Sequence, residues 1–345
     1  MPRPIDFAAL TAPVSAQEVR AYRERTRGAG RAPMIVGGSL VAIAAVVVLI
    51  VAGSITAQAA SRGGGASLGF LGLAGFGVLM FGGVVAIAVW DRHRVWRMRT
   101  RLDRFARANG MTYTVRLGGG LPLGLVFDGG RRGERSDVFR SAQGRELEFG
   151  GYQYTTGSGK SRRTHYWSYL SLELDRRLPH MVLDARANNG LFGGTNLPAS
   201  FRRDQVLSLE GDFDRHFTLY CPREYERDAL YVFTPDLMAL LVDEAGPYDV
   251  EIVDDRMLLY SSTPFRAASV PVLSRLLRIV DTVGAKTLAR TDRYRDEHAP
   301  VPFAADVVAP EGRRLRRRLP VLAIAVPAVA AALVIAAQLL RLAGH

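Results

Sequence analysis

Residues Leu68–Trp90 read LGFLGLAGFGVLMFGGVVAIAVW, and residues 91–110 continue at once as DRHRVWRMRTRLDRFARANG. The first stretch holds no charged side chain, whereas the second carries Arg92, Arg94, Arg97, Arg99, Arg101, Arg104 and Arg107. An apolar run of roughly 20 residues is long enough for a helix to cross a hydrocarbon core of about 30 Å. Arginines crowded at one end of such a run keep that end on the cytoplasmic side. Met34–Ala57 and Leu319–Leu340 are two further uncharged runs of the same kind. The chain is therefore expected to form three transmembrane α-helices plus an α+β cytoplasmic domain with a mainly antiparallel sheet.

The remaining arginines orient these runs consistently. Arg3, Arg20, Arg23, Arg25, Arg27 and Arg31 precede the first run, Arg313, Arg314, Arg316, Arg317 and Arg318 precede the third, and the loop 58–67 holds only Arg62. This places the N-terminus and the main domain in the cytoplasm and the C-terminus outside a bacterial cytoplasmic membrane. The expected organisation is a basic N-terminal segment (1–33), a transmembrane hairpin (34–90, spans 34–57 and 68–90), the α+β domain with basic flanks (91–318), and a last span with a short external tail (319–345). Ala57-Gln58-Ala59 resembles a signal-peptidase site. The apolar run before it is too long and starts too far from the N-terminus for a signal peptide.

The formal charge of +12 suggests nucleic acid until it is located. The flanks of the runs hold 18 arginines against six acids, while Ala108–Pro310 holds 25 basic and 27 acidic residues. The excess thus sits at the membrane border, where it attracts anionic lipid headgroups. The middle region lacks the basic footprint of a nucleic-acid binder. Cys221 is the single cysteine, so no internal disulfide forms. Two lysines against 43 arginines reflect a GC-rich genome.

The runs contain no Asp, Glu, His, Lys or Arg, the groups that relay protons or bind ions inside membranes. Pro327 and Gln338 are the notable residues of the third run. Gly69, Gly72, Gly75, Gly77, Gly82 and Gly83 line the second and favour close helix packing, within one chain or in a homo-oligomer. A channel or transporter subunit is the weakest of the functional alternatives.

In the middle region, Arg92–Gly110 reads as a helix and Thr112–Arg116 as a strand, followed by a Gly/Pro-rich loop. Leu147–Tyr154 and Tyr166–Leu174 read as a hairpin with a bulge at Gly150-Gly151, and Leu170, Leu172 and Leu174 imply one buried face. Met181–Ala185, Val206–Glu210 and His216–Cys221 are further strands. Thr234-Pro235-Asp236 starts a helix that stops at Gly246. Val250–Val253 and Met257–Ser261 read as a tight hairpin about Asp254-Asp255. Leu273, Leu276, Leu277, Val280 and Val283 form a helical apolar stripe.

Candidate chemistry is sparse. Gly157-Ser158-Gly159-Lys160-Ser161 resembles the end of a P-loop, but Tyr154 stands where the first glycine belongs and both neighbours read as strands. Glu210, Asp212, Asp214 and His216 alternate, and in an extended chain they would share one face and could hold a divalent metal. The same acids suit a turn that caps backbone amides. Cys221 reads as a core residue beside Phe217 and Leu219. His165 and His180 have no partner identifiable from spacing. The Asn188–Asn196 loop could bind a ligand or simply make a tight connection. No cofactor is implied.

The strings LPHMVLDARANNGLFGGTNLPASF (178–201), LSLEGDFDRHFTLYCPREYERDALYVFTPDLMALL (207–241) and VEIVDD (250–255) resemble a family of uncharacterised actinobacterial membrane proteins with a cytoplasmic domain of unknown function. The resemblance implies the same architecture and carries no catalytic residue. The expected function is a membrane-tethered cytoplasmic binding or scaffold module for a protein or small ligand. The alternative is a membrane-bound metal-dependent enzyme using Glu210, Asp212, Asp214 and His216.

Overall fold

The computed structural model describes residues 4–26, 67–118, 123–129, 133–190, 194–209, 211–292, 294 and 308–317, without the side chains of 67–78 and 80. The runs Met34–Ala57 and Leu319–Leu340 lie outside the described residues. Contacts divide the chain into two units, Met1–Arg116 with Ala267–Val270, and Leu117–Arg266 with Pro271–His345.

The first unit contains α1 (Ala8–Thr11), α2 (Ala16–Thr26) and α3 (Ser67–Ala108), and β1 (Met111–Gly118) leads out of it. Ser15 and Glu18 form a capping box at the start of α2. The Ser15 N–H donates to Glu18 Oε2 at 2.7 Å, and the Glu18 N–H donates to Ser15 Oγ at 3.1 Å. The box also holds the Glu18 carboxyl below the usual carboxylate range. Leu10, Val14, Val19 and Tyr22 are buried. Phe7 stacks on Phe105 at 5.7 Å and Tyr22 meets Trp96 edge-on at 6.2 Å.

Arg104 of α3 fixes this packing. Its Nε donates to the Ala9 carbonyl at 2.7 Å and its Nη2 to the Ala12 carbonyl at 2.6 Å. Its Nη1 reaches the Pro13 carbonyl and Glu18 Oε1. The guanidinium thus satisfies carbonyls that the end of α1 leaves open. The basic N-terminal segment is therefore folded onto α3 over residues 4–26.

Among the described residues no helix is long and apolar enough to cross a membrane. The apolar stretch of α3 is described with its side chains at Leu79 and from Phe81 to Trp90. Most of these side chains are exposed, Leu79, Ile87, Val89 and Trp90 at 62–76%, while Val85 is half-buried.

The second unit is α+β, and its sheet is antiparallel in every pairing described. Its strands are β2 (Glu134–Ser141), β3 (Leu147–Thr156), β4 (Arg163–Ala185), β5 (Val206–Leu207), β6 (Phe217–Tyr220) and β7 (Asp249–Ser261). The order is β2-β3-β4-β6-β5, with β7 also paired to β4. The helices are α4 (Phe213–His216), α5 (Glu226–Val232), α6 (Pro235–Leu240), α7 (Val270–Ile279) and α8 (Ala285–Thr291). Of the expected stripe, Leu273, Leu276, Leu277 and Val283 are buried and Val280 is half-buried, and α8 packs on β4.

Three local expectations are corrected. Tyr166–Leu174 and Met181–Ala185 belong to one strand, β4. Its pairing with β7 shifts register between Glu173 and Leu178 and again between Leu178 and Met181, which accommodates Asp175-Arg176-Arg177 and Pro179 without ending the strand. Val250–Val253 and Met257–Ser261 form no hairpin. β7 runs straight through Asp254, whose φ of +50° lies at the register shift. The bulge expected at Gly150-Gly151 lies opposite, in β2, between Ser136 and Phe139. A Cβ on Gly150 would come within 3.0–3.1 Å of the bulge backbone, which is why that position lacks a side chain.

The central strand is also buried on both faces. Residues 167–172 of β4 are consecutively buried, where one buried face was expected. The second face is covered by the segment Leu125–Phe127. The Phe127 ring lies 4.8 Å from Tyr152 and 5.0 Å from Tyr169. Burying such a ring contributes about 2–3 kcal/mol.

Candidate functional site

The buried charged groups of the second unit gather in three clusters along β4. The first is centred on Glu148 of β3. Its Oε1 accepts from Arg135 Nη1 at 2.7 Å and from the Tyr169 hydroxyl, and its Oε2 accepts from Arg140 Nε at 2.9 Å. Arg135, Glu148 and Tyr169 are all buried. Burial alone would raise the Glu148 carboxyl, but the Tyr169, Arg140 and Arg135 donors hold it below the usual carboxylate range. Burial and the adjacent Glu148 charge push the Tyr169 hydroxyl up.

The second cluster joins His180, Glu251 and Tyr260. The Leu315 N–H donates to His180 Nδ1 at 3.0 Å, so the ring proton lies on Nε2, which donates to Glu251 Oε1 at 2.7 Å. Glu251 Oε2 accepts from the Tyr260 hydroxyl at 2.7 Å and the Leu125 N–H at 2.9 Å. The cluster thereby stitches the segment 308–317 to the sheet. Gln205 adds a reciprocal pair, its Nε2 donating to the Arg316 carbonyl and its Oε1 accepting the Arg316 N–H. Arg314 grips Asp254 with both Nη atoms, and Arg317 pairs with Asp128. These two flank arginines are engaged by carboxylates of the second unit.

The third cluster is the candidate site. One step beyond the last registered pair, Leu183 and Val250, stand Asp184 of β4 and Asp249 of β7. Directly opposed like charges destabilise a sheet. Both are buried, Asp184 at 4% and Asp249 at 0% exposure. Asp249 Oδ1 accepts the Ala185 N–H at 2.9 Å and Oδ2 accepts Asn188 Nδ2 at 3.0 Å. Burial, reinforced by the charge of Asp184, pushes the Asp249 carboxyl up to about 7. Burial also raises Asp184, against the pull of Thr195 and Asn189.

The loop after β4 closes over this pair. Asn188 Nδ2 also donates to the Pro247 carbonyl, and Asn189 Oδ1 accepts the Asn196 N–H. Several buried polar atoms here have no hydrogen-bond partner: Asp184 Oδ1, Asn188 Oδ1, and both amide atoms of Asn196. Asn188, Asn189 and Asn196 are half-buried, so the cluster opens toward solvent through them. Three of these unpaired atoms are oxygen acceptors, an arrangement that suits a group rich in N–H or O–H donors.

Of the metal ligands expected from the sequence, Asp212, Asp214 and His216 are described. Glu210 lies outside the described residues. Asp212 and Asp214 enter a helical turn, α4, so the extended alternation that would align them is absent. Asp214 Oδ1 accepts the Leu209 N–H at 3.1 Å and its other oxygen accepts from Ser208 Oγ. His216 Nε2 lies 4.0 Å from Asp212 Oδ2, and both side chains are exposed. Among the described residues no group of three or more His, Cys, Asp or Glu could hold a metal ion.

Cys221 is buried, and burial pushes its thiol up to about 12. His165 is bonded to Thr156 Oγ1 at 2.9 Å and stacks on Tyr154. Gly157–Ser161 joins β3 to β4, with a single 3-10 turn at Gly159–Ser161. Of the cluster residues, spacing pointed to the Asn188–Asn196 loop alone. Asp184, Asp249, His180 and Glu251 needed the β4–β7 register. An acid within a run of apolar strand residues, as in MVLDA and DVEIV, is the signal that could have found them.

No family model matches the chain, and no curated protein matches it. Among solved structures, the crystal structure of the mycobacterial trehalose monomycolate transport factor A, TtfA, aligns with a TM-score of 0.33 and 10% identity over 53% of this chain and 93% of that chain. A likeness of this degree assigns neither fold nor function.

Proposed function

We propose that the chain is a membrane-tethered binding module, whose second unit takes a cationic group of a protein or small ligand at the Asp184–Asp249 cluster. The observation that carries the binding reading is the set of buried oxygens without partners at Asp184, Asn188 and Asn196. A buried polar atom left unpaired costs about 1–3 kcal/mol, and a ligand supplying donors or positive charge removes that cost.

The tether belongs to the same reading. Leu68–Trp90, with Met34–Ala57 and Leu319–Leu340, would span a bacterial cytoplasmic membrane, leaving both the N-terminus and the folded units on the cytoplasmic side and the C-terminus outside. Support comes from the exposed apolar side chains of α3 at Leu79, Ile87, Val89 and Trp90, followed by arginines. A helix that is apolar on every side calls for an apolar environment.

Thermal unfolding of the full chain in detergent, with Ca2+, Mg2+ or methylammonium added, tests the site. Saturable stabilisation by one of these probes, abolished by Asp184→Asn, is expected. Absence of any stabilisation sensitive to that substitution would contradict a ligand site there.

A further inference from the structure

Two groups of arginines in the first unit have different employment. Arg25, Arg104 and Arg107 line one cavity of the first unit, and each is already bound: Arg25 and Arg107 to Asp103, and Arg104 to Glu18 and the carbonyls of residues 9, 12 and 13. A second cavity of about 520 Å³ lies along α3 just past the apolar stretch, with Ala268 contributing to its wall. His93, Arg94, Arg97 and Arg101 line it, together with the apolar side chains of Trp90 and Met98. Arg94, Arg97 and Arg101 are spaced by three and four residues, so they share one face of the helix.

No carboxylate among the described residues pairs with these three arginines, and Asp91 is the one acid in the lining. Arg101 Nε is buried and has no hydrogen-bond partner. A buried guanidinium N–H lacking an acceptor, beside two further unpaired guanidiniums, leaves a concave site short of oxygen acceptors and of negative charge. Arg forks match the oxygens of a phosphate group, which accepts two parallel N–H bonds. Trp90 and Met98 add an apolar wall of the kind that an acyl-glycerol group would cover.

We infer that the cavity bounded by Trp90, His93, Arg94, Arg97 and Arg101 binds a phosphate-bearing group, supplied by the headgroup of an anionic phospholipid or by free phosphate. The site is a built pocket with its own geometry, in addition to any diffuse attraction between flank arginines and a charged leaflet. It rests on the tether reading only for the preference of lipid over free phosphate as the source.

The test measures binding of dihexanoyl phosphatidylglycerol, dihexanoyl phosphatidylcholine and inorganic phosphate to the full chain in detergent by calorimetry, for the native protein and for Arg94→Gln/Arg97→Gln. Both replaced side chains are exposed, so the variant keeps its fold, and Arg101→Gln provides an independent second variant. Phosphatidylglycerol should bind about thirtyfold more weakly to the double variant, from two arginines at about 1 kcal/mol each. Weak binding of inorganic phosphate beside tight binding of phosphatidylglycerol assigns the lipid, and equal binding of the two assigns free phosphate. Equal affinity of native and variant chains for every anionic probe, or equal binding of the phosphatidylcholine, would overturn the site. Alkaline carbonate extraction of host membranes reads the tether separately. A chain released by carbonate but still binding phosphate in an arginine-dependent way would retain the pocket and lose the tether.

Discussion

At the level of single residues, the second unit concentrates its electrostatic strain at Asp249. This carboxyl holds its proton up to about 7, whereas its ordinary value is 3.8. The folded state therefore binds more protons than the unfolded state across that window. The resulting stabilisation is complete below the ordinary value and is lost as pH rises from about 4 to about 7. Asp249→Asn should remove this share, narrowing the difference in unfolding free energy between pH 5 and pH 8 by on the order of 2 kcal/mol. Urea unfolding at both pH values measures it, and an unchanged difference would contradict the assignment. Glu148 has the opposite sign, since its depressed carboxyl stabilises above its unfolded value and stops doing so as pH falls through its folded value. Glu148→Gln removes the buried carboxylate that Arg135, Arg140 and Tyr169 share, and a loss of roughly 3–5 kcal/mol in the same assay is expected.

These residues were the least legible part of the sequence. His180 and Glu251 stand 71 residues apart, and Asp184 faces Asp249 across 65. Their meeting is decided by strand register. The alternation of Glu210, Asp212, Asp214 and His216, by contrast, was conspicuous in the sequence. Over Asp212–His216 the chain makes a helical turn, with Asp214 accepting the Leu209 N–H.

Among elements, the arginine-rich stretch after the apolar run is a scaffold as well as a charge cluster. Arg104 uses its planar fork to hold the α1–α2 connection, a role that a point charge does not reproduce. Arg104→Lys should release residues 8–26, seen as loss of amide protection there by hydrogen exchange, while protection of β4 and β7 persists. Unchanged protection at residues 8–26 would show that the apolar contacts of Leu10, Val19 and Tyr22 suffice. The capping box Ser15-Ala16-Gln17-Glu18 was present in the sequence as a start signal for α2. The helix stripe at Leu273–Val283, the helix after Thr234 and the β3–β4 pairing were all readable because periodicity and turn residues agreed. β4 was read as two strands because Asp175-Arg176-Arg177 and Pro179 carry the composition of a loop. Tertiary pairing with β7 keeps that stretch in the sheet by shifting register around it.

For the whole molecule, the account combines an antiparallel α+β unit, built around a central strand buried on both faces, with a tether proposed from the apolar runs and their arginines. Class and strand direction followed from the order of elements. The double-sided burial did not, because Leu125–Phe127 lies in a Gly/Pro-rich stretch with no periodic signal. The most direct test is cysteine accessibility in intact spheroplasts of the native host. The native thiol of Cys221 needs no replacement, being buried and pushed up to about 12. Ser61→Cys, between the first two apolar runs, and Ser158→Cys, at the exposed β3–β4 tip, are treated with a membrane-impermeant maleimide. Labelling of Ser61→Cys in intact cells, with Ser158→Cys labelled only after permeabilisation, is the predicted result. Labelling of Ser158→Cys in intact spheroplasts would contradict the cytoplasmic placement on which the reading depends.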